Sequence, residues 1–252
     1  MLVIYENDRF LVVDKPANLL IHPTKPGGPN TLWDELRKLL AFEIINGGQV
    51  SIVNRLDRET SGLVLVAKST ETARSLGHML ARHQIRKPYQ AIVWGWPDTD
   101  QFTVDQPLLR QGTVMPSKIW LKQTVHPNGY PALTSFRVLK RFTRNGTPFT
   151  LIEAEPKAGR THQIRVHLAH TGYPIVGDKI YGPDENCYLE FIASDWTPEL
   201  ESKLLLPRHA LHASGLEFVL DNAPFSFSEP LPQDMEQFIE RDRRHRAGAE
   251  TY

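Results

Sequence analysis

Hydrophobic positions in the first fourteen residues alternate and then run together, as Val3-Ile4-Tyr5 and Phe10-Leu11-Val12-Val13, with the turn-prone Asn7-Asp8 between them. This pattern predicts a β-hairpin. Lys15-Pro16 follows, and Pro23, Pro26, Gly27, Gly28 and Pro29 prevent regular structure between Ile21 and Asn30. Leu32, Leu36, Leu39 and Leu40 then recur at helical spacing behind Thr31, a suitable N-cap, so Leu32 to Phe42 is expected to be a helix packed on a sheet. Leu63 to Ala67 is continuously apolar and reads as a buried strand. Ser69 or Thr70 can cap a second helix whose apolar stripe is Ala73, Leu76, Met79 and Leu80, with Arg74 and Arg82 off the stripe. Lys87 to Gly95 reads as a strand with Tyr89, Ala91 and Val93 on one face and Gln90, Ile92 and Trp94 on the other.

Residues 97–131 are rich in Pro, Gly and Gln and carry two weak strands, Phe102 to Val104 and Lys118 to Lys122; they read as an excursion from the sheet. Thr134 to Phe142 and Phe149 to Glu155 alternate as two strands, and Asn145-Gly146 between them tolerates the positive φ that a tight hairpin turn needs. Thr161 as N-cap and Gly172 as C-terminal glycine bracket a helix of about two to three turns. Ile164, Leu168 and Thr171 share one of its faces, and Arg165 lies with His162 and Ala169 on a neighbouring one. Leu216, Phe218 and Leu220 form a last strand, followed by Phe225 and Phe227. A terminal helix turns Met235, Phe238 and Ile239 inward and runs into the basic segment Arg241 to Arg246.

At 252 residues, 40% apolar and 23% charged, the chain can bury a sizeable core as one large or two small domains. No apolar run approaches the roughly 18 to 20 residues that span a bilayer, and the N-terminus does not read as a signal peptide. The single Cys187 excludes an intrachain disulfide and a cysteine zinc site, so a cytoplasmic protein is expected. With 29 basic and 29 acidic residues, bulk charge does not favour nucleic acid. Its distribution does more: from Thr72 to Pro97 there is no Asp or Glu, while Arg74, Arg82, Arg86 and Lys87 are present with His78 and His83. Such a stretch suits either an RNA-facing wall or a solvated helix face. His162, His167, His170, His209 and His212 do not form a recognisable metal set, because His162 and His167 are five apart and no Cys or carboxylate completes the ligands.

The stretch Asn54 to Lys68 starts polar and ends apolar, placing Asp57 on a loop that feeds the Leu63 to Ala67 strand. Arg55 and Arg58 flank Asp57, and nearby cations keep a carboxylate ionised. From local chemistry alone, an Asx-turn or a surface ion pair is the commoner fate of an Asp beside arginines and is the favoured reading. The run Arg55-Leu56-Asp57-Arg58-Glu59-Thr60-Ser61-Gly62-Leu63 resembles the active-site motif of the RluA-like pseudouridine synthases. Three further motifs follow in the family's order: Lys87 to Gly95, which resembles its Lys-x-Tyr strand, Gly159 to Leu168, and Arg208 to Ala213. One departure is Asn54, where members usually carry His.

The resemblance implies an α+β fold, a mixed and mainly antiparallel sheet with flanking helices and a central catalytic cleft. It implies a single catalytic domain over residues 1–252 with no S4-type RNA-binding domain, acting as a monomer on structured RNA, either transfer RNA or a ribosomal stem-loop. Asp57 would be the reactive carboxylate, Arg165 its charge partner, and Tyr89 a base or proton carrier at uracil C5. Arg55 would occupy the position that the flipped base vacates. Arg58, Lys87, Arg160, His162 and Gln163 would bind the RNA. No metal, nucleotide or other cofactor is implied, since the reaction is an isomerisation. The alternatives are a catalytically silent RNA-binding protein of the same fold and a glycosidase pairing Asp57 with Glu59.

Overall fold

The opening hairpin forms as expected. β1 (Leu2–Glu6) and β2 (Phe10–Lys15) pair antiparallel, and Asn7 Oδ1 accepts from the N–H groups of Arg9 and Phe10 to close the turn. The computed structural model describes residues 1–247, with side chains through residue 240, so the side chains of the Arg241 to Arg246 run lie outside the described residues. Thr31 caps α1 (Leu32–Leu39) in a capping box: its hydroxyl accepts from the Asp34 N–H and the Asp34 carboxylate accepts from the Thr31 N–H. The helix does not run through Phe42. The backbone leaves helical geometry at Leu40, which is buried, and resumes as α2 (Ala41–Ile45), leaving Leu39, Phe42 and Ile45 exposed.

In chain order there follow β3 (Ser51–Ile52), β4 (Ser61–Ala67), α3 (Thr70–Ala81), β5 (Tyr89–Trp94), β6 (Gln101–Asp105), β7 (Leu108–Arg110) and β8 (Gln123–Val125). The remainder is β9 (Leu133–Arg144), β10 (Thr147–Pro156), α4 (Gln163–His170), α5 (Asn186–Ser194), α6 (Pro198–Leu204), β11 (Leu211–Ala213), β12 (Gly215–Leu220), β13 (Ala223–Ser228) and α7 (Gln233–Ala247). The fold is α+β with mainly antiparallel strands. The elements gather into two compact units, one of residues 1–88 with 212–230, the other of residues 89–211 with the chain from Leu231 onward.

β4 organises the first unit. All seven of its residues are buried. β2 pairs antiparallel along one edge, while β3 and His212-Ala213 of β11 share the other, the latter in parallel. Phe10, Val12, Leu63, Leu65 and Leu76 pack with Leu216, Phe218 and Leu220 of the β12–β13 hairpin. Tyr5, Phe10, Phe218, Phe225 and Phe227 form a ring cluster with edge and stacked contacts. The α3 stripe is as expected: Leu76 is buried, Ala73, Met79 and Leu80 pack on the same core, and Ser69 caps the helix.

In the second unit the order is β5–β10–β9–β6, all antiparallel. Asn145 (φ 51°) and Gly146 (φ 78°) form the two-residue turn between β9 and β10. Two readings of the 97–131 region are corrected. The Phe102 to Val104 strand is part of this sheet, hydrogen-bonded along β9, so the excursion begins only after Asp105. Lys118 to Lys122 is not a strand: Ile119 turns inward and is buried, while Trp120 and Leu121 are exposed on a turn. The excursion's own ribbon is β7 paired with β8. Thr161 is also not the cap of α4. His162 takes that position in the left-handed region (φ 58°) with no side-chain cap, and Gln163 Oε1 instead accepts from the Arg160 N–H. Gly172 does follow the helix with φ 84°, as read. Met235, Phe238 and Ile239 of α7 are buried, Phe238 edge-on to Phe149.

Candidate active site

Within the first unit, the Asp57 loop is tied to its surroundings at three points. Asn54, buried, donates from Nδ2 to Leu63 O at 3.1 Å and accepts at Oδ1 from Leu65 N–H at 2.7 Å, so its amide pairs with β4 as a neighbouring strand would. The residue that departs from the family's usual His therefore fixes the entry of the loop. Asp57 to Thr60 is a turn closed by Thr60 N–H on Asp57 O at 3.1 Å. Arg58 O, inside this turn, accepts from the ammonium of Lys15 at 3.2 Å, and the same ammonium reaches Pro16 O at 2.8 Å and Leu19 O at 3.0 Å.

Lys15 is fully buried, so a cation and three carbonyls hold the turn that carries Asp57. Leu56 points into the core, Asp57 is half-buried, and Arg55 and Arg58 are exposed. Burial, and then the charge of Arg55, push His22 below the usual imidazole range, which places His22 in the field of this loop. The arrangement fixes the turn that carries a half-buried carboxylate, with exposed arginines two residues before it and one after.

Two of the sequence motifs meet on β4. Ser61 Oγ lies 2.9 Å from His212 Nδ1, and Gly62 (φ 113°) sits so close to β11 that a Cβ would fall 2.3 Å from Ala213 O. Only glycine fits. Lys87, the last site residue in this unit, is buried and donates to Ile85 O at 3.1 Å.

The second unit holds Tyr89, Arg160, His162, Gln163 and Arg165. Tyr89 opens β5 opposite Ala154 and is 8% exposed. Arg165 is buried on α4 and forks onto Asp178, Nε to Oδ2 at 2.7 Å and Nη2 to Oδ1 at 2.9 Å. Burial by itself pushes the Asp178 carboxyl up, but the Arg165 charge and hydrogen bond, with His209 and the Tyr181 N–H, outweigh it and hold the group far below the usual carboxylate range.

Asp178 Oδ1 also accepts from the N–H groups of Ile180 and Tyr181. Tyr181 OH accepts from Gln123 N–H at 2.8 Å, lies 2.8 Å from His162 Nδ1, and has its ring 5.1 Å from the Arg165 guanidinium. Gln163 is buried and bonded to Leu133 O and Thr134 Oγ1, so it joins the motif to β9. Arg160 is exposed, with Nε on Pro131 O. His167, in the same helix, lies 2.9 Å from Thr134 Oγ1 and 3.0 Å from Gln106 O.

Sequence reasoning missed Lys15, Asp178, Tyr181 and the Ser61–His212 pair. Lys15 carries only a faint signal, a lysine two residues after the apolar run Phe10 to Val13. Gly177, before Asp178, is a second signal, since a Cβ there would meet Arg208 O at 2.0 Å.

The family described as RNA pseudouridylate synthase matches residues 9–170. Ribosomal large subunit pseudouridine synthase D of Nitrosomonas europaea is 33% identical over 246 residues, covering 96% of this chain and 65% of that protein. An uncharacterized RNA pseudouridine synthase of Chloroflexus aurantiacus is 38% identical over 239 residues, covering 93% of this chain and 66% of its own length. The chain thus spans about two thirds of the length of these curated relatives. Among solved structures, human RNA pseudouridylate synthase domain containing 4 superposes with a TM-score of 0.73 at 22% identity, covering 96% of this chain and 93% of that one, which establishes a shared fold. The matched motifs, the shared fold and the family match together place this chain in the RNA pseudouridylate synthase family.

Proposed function

We propose that this protein converts uridine to pseudouridine in a structured RNA, with Asp57 as the reactive carboxylate. The observation that carries this is the Asp57 turn, anchored by Lys15 and Asn54, half-open to solvent and flanked by the exposed guanidiniums of Arg55 and Arg58. The reaction detaches uracil from ribose, turns the base and rejoins it through C5, and it starts from a base held out of the stack. Atoms balance without a co-reactant.

Carried over residue by residue from the family's motifs, Arg55 fills the place of the flipped base, Arg165 is the charge partner of the carboxylate, and Tyr89 takes or relays the C5 proton. Asp178 is well suited to fix the guanidinium plane of Arg165. Arg58 and Arg160, both exposed, suit phosphate contacts; Lys87, His162 and Gln163, each held by an internal partner, are the further RNA-binding residues of this reading.

Relatives named for the ribosomal large subunit support ribosomal RNA as the first substrate to try, ahead of transfer RNA. We read the protein as a cytoplasmic monomer; among the described residues, no helix is long and apolar enough to cross a membrane. Asp57→Ala tests the assignment: turnover should be lost while RNA affinity stays, and substantial residual turnover would remove Asp57 from its role.

A further inference from the structure

Residues 106–131 contain three cations, Arg110, Lys118 and Lys122, and no Asp or Glu. The same segment holds much of the exposed apolar surface of the second unit: Trp120 is 74% exposed and Tyr130 68%, with Val114, Met115 and Leu121 also open. Exposed tryptophan is uncommon without a partner to cover it. Each of the two rings has a guanidinium beside it. Arg110 lies 3.7 Å from the Trp120 ring centroid and Arg160 lies 5.4 Å from that of Tyr130. One face of the indole is thus covered by a cation, and the exposure leaves the opposite face open.

The backbone beneath both rings is pinned. Ile119 and Leu108 are buried in a cluster with Val166 of α4 and Tyr181. Tyr130 exchanges both backbone hydrogen bonds with Leu108, at 2.8 and 3.0 Å, and Gly129 packs so close that a Cβ would lie 2.7 Å from the Leu108 backbone. Lys122 pairs with Glu185, and the Gln123 N–H is held by Tyr181, the tyrosine that also meets His162. The rings therefore stand on a rigid support connected to the motif helix.

We infer that this excursion is a stacking platform for unpaired bases of the RNA, with Trp120 and Tyr130 as its faces and Arg110 and Arg160 as their cationic backing. The inference rests on the reading that the partner is RNA and adds which part of it is grasped: a single-stranded segment. An apolar protein surface docking here would have to strip water from arginines with no acid in the segment to pair them, whereas phosphates satisfy them. Every base offers a π-face, so the platform supplies affinity with little sequence preference.

The test is fluorescence anisotropy with an end-labelled single-stranded oligouridine of about twelve nucleotides, within the span such sites cover, and a blunt RNA duplex of the same length. Trp120→Ala should weaken binding of the single strand by about fivefold or more, and Trp120→Phe should keep most of the affinity. Duplex binding should change by less than about twofold. An unchanged unfolding midpoint confirms that the variant is folded. Wild-type affinity of Trp120→Ala for the single strand, equal losses on strand and duplex, or no binding of the strand by the wild-type protein would each overturn the platform. Tritium release from C5-labelled uridine separates this from the activity itself: release with normal Trp120→Ala binding sinks the platform alone, and a selective binding loss without release by wild type sinks the catalytic reading alone.

Discussion

Three carbonyls, those of Pro16, Leu19 and Arg58, converge on the buried ammonium of Lys15, and the third belongs to the turn that presents Asp57. Lys15→Met keeps the apolar stem and removes the donors that meet these three carbonyls, so it should destabilise the protein by about 1–3 kcal/mol in urea unfolding. Asn54→Ala removes both bonds to β4 and should cost a similar amount, about 1–3 kcal/mol by the same measurement. Asp178 predicts a pH dependence. A carboxyl depressed on folding contributes stability that is fully present above its unfolded value, near 4, and is lost as pH falls through the lower folded value. Wild type should therefore weaken steeply below about pH 4, and Asp178→Asn should show a flatter acid limb alongside a lower midpoint at neutral pH. Asp57 stood out in the sequence only through the motif that Arg55 to Leu63 resembles, since local chemistry alone favours an Asx-turn or a surface ion pair for an Asp beside arginines. Lys15 and Asp178 did not stand out, since a lone Lys or Asp says nothing of the partner that folding brings to it.

At the scale of elements, the hairpins were the most readable part. Asn145-Gly146 determines its own turn, and the alternation on either side sets which face is buried. β6 is expected as a strand but outside the sheet, because five residues with only Phe102 and Val104 turned inward give no sign of the partner, β9, that draws them into it. The start of α4 escaped for another reason: a left-handed His162 leaves no sequence mark, whereas a Thr two residues before a helix looks like a cap. β4 and β11 illustrate a constraint that no periodicity reveals. Gly62→Ala adds a methyl group against Ala213 O at a backbone angle that alanine disfavours, so we expect a loss of about 1–3 kcal/mol or more and a matching drop in turnover, checked by thermal unfolding and tritium release.

For the whole molecule, zero net charge means that attraction to RNA comes from a few placed cations rather than from a general field. With Arg55, Arg58 and Arg160 as the exposed site cations, the salt dependence of RNA affinity should be shallow, a log–log slope of about −2 to −3. A far steeper slope would mean that basic surface elsewhere dominates. The central claim is that Asp57 drives uridine isomerisation, and tritium release from C5-labelled uridine in ribosomal and transfer RNA transcripts tests it most directly. The account predicts release by the wild-type protein from one of these RNAs and none from Asp57→Ala bound to the same RNA. Release by the variant at a rate near wild type, or none by either protein despite intact binding, would contradict it.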